Sequence, residues 1–494
     1  MKDAQPVKGV INNIKWNSLG SLASVTIGFL RVAILARYLD SNDFGIVAIV
    51  STILAFTSIF SEVGLNVAVI HKQNTNINQF STLFWINLIF GIFVYSLLIF
   101  STPYAADIYK EVILFKVLPL AGIQLLFNSI GKLSQTLLIK DQNFRFLGLV
   151  SVACSLTSFF VSMLCVHQNL GVYSLIVGEL SQSFLANFFY FIAGRKKLKI
   201  GFYFSFSEVK EYLSIGFYNF GSQFLDYVSS RLDIILIGRY FSMSELGYYN
   251  LAKELVVRPF FLINSLTNNV FVSSFAKIQD NIPLVREKFL LLVRVVSSIS
   301  IPVYISIFLF SDFYIHVLYG DQYKSVSIFL KLMIFGGIAQ AIESLSGTFR
   351  QALGKTNIGF KWTIIRFILS IFFYTFFLES SISTFTLSRS IFFGFLFFVN
   401  WFIAIYPIIQ LRISEYLDSI KFNLLSSILI GLPFYLLVGD KEFNLFVTLL
   451  FLISYFLIFG IISVSYNSKL YIKIVSNKYP ALKFKNYFNY FKNL

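Results

Sequence analysis

The chain has 494 residues, of which 56% are hydrophobic, 18% aromatic and only 13% charged, an apolar excess that a water-soluble fold of this length could not hide in its core. Lipid is therefore the expected solvent for most of it. The formal net charge of +16 lies in short loops and both tails rather than on one continuous face, which argues against a nucleic-acid partner.

From the N-terminus, residues 1–15 are polar and basic. The first apolar run, 16–38, is followed by no small-residue cleavage site, so a retained helix is expected and not a signal peptide. Further runs of about twenty residues, the length that crosses a hydrocarbon core of roughly 30 Å, follow at 45–70, 82–101, 113–139, 146–166, 171–193, 213–240, 247–272, 289–310, 325–350, 362–378, 385–408, 422–438 and 445–465. They are continuous and lack the period-two alternation of a barrel strand, and a helix keeps its backbone hydrogen bonds internal. The expected fold is an all-α polytopic membrane protein of about fourteen transmembrane helices.

With the N-terminus in the cytoplasm, the even-numbered connections and both tails hold most of the basic residues, among them Lys8, Lys140, Arg195, Lys196, Lys197, Lys199, Lys277, Lys355, Lys421 and Lys485. The opposite side holds only Lys110, Lys116, Lys324, Arg389 and Lys441. Anionic lipid and the membrane potential retain basic loops inside, so both termini are expected in the cytoplasm. The longest connections on the other side, around 103–112 and 312–324, are too short for an external catalytic domain.

The chain repeats itself. Arg37-Tyr38-Leu39-Asp40-Ser41-Asn42-Asp43-Phe44-Gly45 matches Arg239-Tyr240-Phe241-Ser242-Met243-Ser244-Glu245-Leu246-Gly247 at an offset of 202 residues, with Asn17 on Asn219 in the same register. Six helices separate the copies, an even number, so both halves have one orientation in the membrane and are expected to be related by an axis along its normal. Two six-helix lobes follow, 1–200 and 201–412, with two further helices and a basic cytoplasmic tail in 413–494. Between the lobes the basic stretch 194–210 reads as a linker on the cytoplasmic membrane surface. The tail mixes Lys with Tyr and Phe as an interfacial segment does.

Ionisable groups within the spans each need water, a partner or a bundle interior. The basic ones are Arg31, Arg37, Lys132, Arg231, Arg239, Lys253, Arg258, Arg294, Lys331, Arg350 and Arg366; the acids are Glu62, Glu179, Asp226, Asp233, Glu254 and Glu343. Cations dominate, which suits an anionic cargo such as a diphosphate better than a cationic one. Arg37, Arg239 and Arg350 lie near helix ends and are expected to snorkel. Glu254 and Arg258 stand at i and i+4, the spacing of a structural pair. Asp226 and Asp233 share one face of the seventh span. Arg31, about half-way along the first span, is expected to face a lumen. Glycines such as Gly20, Gly28, Gly122 and Gly221 are expected to mark close helix packing or bending.

No Gly-rich phosphate loop, metal-ligand spacing or Ser-His-Asp set is present. Cys154 and Cys165 share one apolar run and form no framework, and the three histidines are scattered near segment ends.

Gly28-Phe29-Leu30-Arg31 running into Ala36-Arg37 and Asp43-Phe44-Gly45, and Ser230-Arg231-Leu232-Asp233 followed by Ile237-Gly238 and Leu246-Gly247-Tyr248, resemble the polysaccharide exporters of the lipid-linked-oligosaccharide flippase kind. Within the multidrug/oligosaccharidyl-lipid/polysaccharide superfamily they look most like the colanic-acid and teichuronic-acid exporter branch. The resemblance covers nearly the whole chain. It implies a V-shaped transporter, not an enzyme, in the bacterial cytoplasmic (inner) membrane, which moves undecaprenyl-diphosphate-linked repeat units outward by alternating access. Gly28 to Arg31 also looks like the first-helix motif of lipid II flippases, where the matching arginine lines a cationic cavity; the aspartate that commonly follows is here Val32. Implied diphosphate contacts are Arg31, Arg231, Lys253 and Arg258. Asp226, Asp233 and Glu179 are the candidates for coupling to H⁺ or Na⁺, and no other cofactor is expected. Expected partners are the lipid-linked oligosaccharide, membrane lipids and other polysaccharide-assembly membrane proteins. A drug/cation antiporter of the same superfamily and a membrane glycan polymerase or ligase are the alternative readings.

Overall fold

A computed structural model describes residues 4–62, 69, 76–198, 201–276, 278–438 and 445–466. The expected basic tail beyond residue 466, Lys199 of the linker, and Lys277 and Lys441 lie outside the described residues, as does the side chain of Glu62.

The chain is an all-α membrane protein. Its helices are α1 (Ala4–Leu35), α2 (Ser41–Glu62), α3 (Ile77–Tyr109), α4 (Leu114–Lys140), α5 (Phe144–His167), α6 (Tyr173–Leu198), α7 (Phe206–Tyr240), α8 (Met243–Ala276) and α9 (Ile282–Leu309). There follow α10 (Ser311–Leu318), a 3₁₀ turn at Asp321–Tyr323, α11 (Val326–Glu343), α12 (Leu345–Ala352), α13 (Thr356–Phe376) and α14 (Ile382–Asn400). A π segment at Trp401–Ile405 leads through α15 (Tyr406–Ile409) to α16 (Ile413–Val438) and α17 (Leu445–Tyr466). Among the described residues, 12 helical segments are long and apolar enough to cross a membrane. Helices α7 and α8, with 35 and 34 residues, have the length of a span and cover the expected seventh and eighth spans. With them the tally reaches about fourteen.

Helix starts are written locally. Asn76 and Gln79 form a reciprocal capping box at α3, while the Asn143 and Asn281 side chains accept from Phe146 N and Leu284 N at the starts of α5 and α9. One end departs from expectation: α3 runs through Pro103 to Tyr109 and stops only where Lys110 turns left-handed, at φ 55°. The connection expected at 103–112 shrinks accordingly. A helix in lipid gains nothing from exposing backbone, so Pro103 is absorbed.

The residues fall into two compact units. The first comprises Met1–Leu255, Ile315–Met333 and Thr356–Phe392. Within it α1 packs on α5, α3 on α4, α4 and α5 on α6, and α7 on α2 and α13. At the α1–α5 crossing a Cβ on Gly20 would stand 2.5 Å from the Cα of Gly148, so the expected close packing holds there, whereas Gly28 and Gly221 face open space. The second unit comprises Val256–Tyr314, Ile334–Lys355 and Phe393–Leu494. There α9 lies along α16, joined by Asn423 Nδ2 donating to Ser297 Oγ at 2.8 Å and by an Arg286–Glu415 ion pair. Tyr416 stacks on Phe397 with ring centroids 4.9 Å apart.

Candidate functional site

Three buried charges of the first unit, Asp233, Lys253 and Arg389, gather where α7, α8 and α14 meet. Asp233 lies on α7, two turns before the helix ends, with only 2% of its surface exposed. Lys253 Nζ of α8 reaches its carboxylate at 2.7 and 2.8 Å, and Arg389 Nε of α14 at 3.1 Å. Tyr249 donates its hydroxyl at 2.6 Å and Ile234 its backbone N–H at 2.9 Å. Both oxygens are taken, so the carboxylate's charge is answered by two built-in cations. The sequence reading counted Arg389 among the charges on the far side of the membrane, and the structure corrects this: Arg389 is 2% exposed inside α14. An isolated basic residue looks like a loop marker, but here it is a counter-ion for Asp233, whose burial without one would be prohibitive.

A second pair sits in the α1, α5 and α6 bundle. Arg31 Nη2 meets Glu179 Oε1 at 3.1 Å and Nη1 donates to Ser158 Oγ, while the guanidinium Nε has no acceptor among the described residues. The arginine side chain is 9% exposed and the glutamate 42%, so the carboxylate is the open member. Because α1 closes at Leu35 and not at residue 38, Arg31 lies about 6 Å from the helix end, nearer to it than the expected mid-span position.

A third pair joins Arg366 on α13 to Asp226 on α7, again with a carboxylate, 62% exposed, covering a guanidinium that is 22% exposed. Of the sequence-predicted acids, Glu179 and Asp226 are therefore each paired with one arginine, and Asp233 is paired with both a lysine and an arginine. Of the predicted cations, Lys253 is spent on Asp233. Arg231 is half-buried beside it, close enough to act electrostatically on Lys253 and Tyr227, and makes no ion pair or hydrogen bond among the described residues. Arg258 is half-buried further along α8, in the second unit.

At the end where α1, α3 and α7 stop, the two copies of the repeat meet. A Cβ on Gly45 would lie 2.0 Å from Met243 O, and one on Gly247 would lie 1.8 Å from Ser41 O. Met243 is Ser41 moved by the repeat offset, so the contact is reciprocal. The acid of each turn caps the helix that follows: Asp43 Oδ2 accepts from Asp40 N, and Glu245 Oε2 from Ser242 N at 3.0 Å. Arg37 and Arg239, both exposed at helix ends, make hydrogen bonds within the protein. Arg37 donates to Val317 O at 2.9 Å and Arg239 to Ile108 O, each reaching carbonyls at the C-terminal end of a helix, where cations are favoured. Gln322 and Tyr323 of the 3₁₀ turn donate to Ala36 O and Leu39 O. Beside them His316 donates to Asp321 at 2.9 Å, which holds that carboxyl below its ordinary range. Arg350, expected to snorkel, is instead 6% exposed in the second unit and donates to Ser346 Oγ.

Sequence reasoning missed Arg389, Tyr249 and the pairing of Arg366. The repeat register of 202 residues does not point to Arg389, because it carries Glu179 to Ser381; only the helix starts of the structure set Glu179 and Arg389 about two turns into α6 and α14.

Residues 34–328 match the family described as polysaccharide biosynthesis protein. The chain is 24% identical over 422 residues to the teichuronic acid biosynthesis protein of Bacillus subtilis, covering 84% of each chain. It is 21% identical over 363 residues to the succinoglycan biosynthesis transport protein of Rhizobium meliloti, covering 73% of this chain and 72% of that one. Among solved structures it is similar in fold to a lipid II flippase in an inward closed conformation, with TM-score 0.76, 17% identity, and 92% and 99% of the two chains covered.

Proposed function

The chain belongs to the polysaccharide biosynthesis protein family, and we propose that it carries undecaprenyl-diphosphate-linked oligosaccharide repeat units from the cytoplasmic to the outer face of a bacterial cytoplasmic membrane for surface polysaccharide assembly. It does so as a transporter and not as an enzyme. The observation that carries this reading is the surplus of positive charge around α7: Arg231, Lys253, Arg389 and Arg366 stand against two carboxylates, Asp233 and Asp226. A net positive, membrane-embedded site is costly unless it serves an anion, and a diphosphate offers oxygens that guanidinium forks hold in pairs.

In this reading the two six-helix halves, 1–200 and 201–412, are the bodies that rock, with both termini cytoplasmic. Arg31 and Arg231 contact the diphosphate; Lys253 and Arg258 supply field behind them. Of the coupling candidates, Asp233 is the weakest, since Lys253 and Arg389 already stand where H⁺ or Na⁺ would act. Glu179 and Asp226, both with open carboxylates, are the stronger ones. Sequence similarity to a protein titled as a biosynthesis transport protein supports the direction of this reading.

Deleting the gene tests it. Lipid-linked repeat units accumulate on the inner leaflet and surface glycan falls, both restored by the gene in trans. Unchanged surface glycan, with a rise in sensitivity to cationic drugs instead, is the outcome that overturns the reading.

A further inference from the structure

Helix α7 has 35 residues, long enough to cross a bilayer with several turns to spare, and Asp226 stands near its middle. One side of α7 packs along α2 and another along α13. Gln223, Asp226 and Ser230, at i, i+3 and i+7, share a face that is exposed. A carboxylate open at mid-span cannot face hydrocarbon without a cost of several kcal/mol, so this polar face looks into water. Arg366, the eleventh residue of α13, reaches Asp226 from the neighbouring helix, and its Nε is buried with no acceptor among the described residues.

The Arg31–Glu179 pair has the same construction: a guanidinium tucked among helices, its Nε without an acceptor, and its terminal nitrogen covered by a more open carboxylate. In neither pair does the acid need the arginine in order to be solvated, because the acid is already open to water. The arginine is the member that lacks oxygens. A guanidinium offers two parallel N–H groups along one edge, and a single carboxylate oxygen leaves that edge incompletely used.

We propose that Arg366 is a second oxyanion-binding residue, masked by Asp226 until a substrate oxyanion displaces that carboxylate. This rests on the reading of the chain as a transporter of anionic lipid-linked glycans. Two parts of such a substrate carry the required chemistry, the lipid diphosphate and a uronic-acid carboxylate of the glycan. The exchange is cheap because one oxyanion replaces another: the guanidinium never stands bare at mid-span, and the released Asp226 turns to water already beside it. Masking also keeps the site closed to bulk anions.

Binding to the purified full-length chain in nanodiscs tests this with two probes, farnesyl diphosphate, which has phosphates and no sugar, and octyl glucuronide, which has a carboxylate and no phosphate. Asp226→Asn removes the mask at an exposed position and is expected to tighten one of the two by about three- to fivefold, the range of a partly exposed ion pair. Arg366→Gln alone is expected to show no such tightening, and the Asp226→Asn/Arg366→Gln double variant to lose it. A gain for farnesyl diphosphate assigns the site to the diphosphate; a gain for octyl glucuronide assigns it to an acidic sugar. Wild-type binding of farnesyl diphosphate that Arg31→Ala weakens, with neither probe altered by Asp226→Asn, overturns the Arg366 site and leaves the functional reading standing. Absence of binding of either probe by the wild type overturns both.

Discussion

Arg31 and Asp233 occupy equivalent positions of the internal repeat, 202 residues apart, and carry opposite charges. Arg31 meets Glu179 on α6 and Asp233 meets Arg389 on α14, in both cases at 3.1 Å, so one inter-helix contact is made twice with its polarity reversed. The two versions differ in burial. Glu179 is open to solvent, whereas Asp233, Arg389 and Lys253 are enclosed together. The first is expected to exchange its partner and the second to hold.

That difference predicts unequal costs. Asp233→Asn leaves Lys253 and Arg389 buried without their counter-charge and is expected to destabilise the fold by about 3–5 kcal/mol. Glu179→Gln, at an exposed partner, is expected to cost no more than about 1 kcal/mol. Thermal unfolding of the detergent-purified variants, followed by tryptophan fluorescence, compares them. Equal losses would contradict the division into a holding pair and an exchanging pair.

Arg31 is expected to be required for transport and not for folding. Arg31→Ala should abolish surface glycan with membrane abundance near wild type, and Arg31→Lys should keep part of the activity, because an ammonium retains the charge and loses the fork. Surface glycan staining beside an immunoblot of the membrane fraction separates the two effects. Loss of protein in both variants would assign Arg31 a structural role.

The apposed turns predict a closed end. No side chain fits at Gly45, so Gly45→Ala must push Met243 away. With Cys154 and Cys165 replaced by Ser, a cysteine at Ala48, 1% exposed in α2, is expected to resist a membrane-impermeant maleimide and to become reactive when Gly45→Ala is added. Continued protection in the double variant would show that the contact does not seal this end.

Membrane sidedness follows from the basic connections. Reporters fused after Lys199 and after Lys469 are expected in the cytoplasm, and one fused near Tyr109 outside. A cytoplasmic Tyr109 would invert the topology and put the apposed turns on the inner face.

The helical architecture was legible because lipid imposes it: continuous apolar runs admit one backbone solution. The repeat was legible too, since an Arg-Tyr end, a capping acid and a close-contact Gly recur at fixed spacing. Three things were not. Helix ends escaped where Pro103 continued α3, because backbone satisfaction outweighed local propensity. Arg389 was misplaced because a lone cation carries no local mark of its partner, 156 residues away. The pairing of Arg366 with Asp226, 140 residues apart, is likewise long-range, so each charge was seen and the bond between them was not.

The proposed function requires this chain to move an anionic, lipid-linked glycan across a bilayer. Purified protein in proteoliposomes, loaded on one leaflet with a polyprenyl-diphosphate oligosaccharide, should make that sugar accessible to a glycosidase on the other side, at a rate that Arg31→Ala reduces to that of protein-free vesicles. Wild-type vesicles no faster than protein-free ones would contradict it.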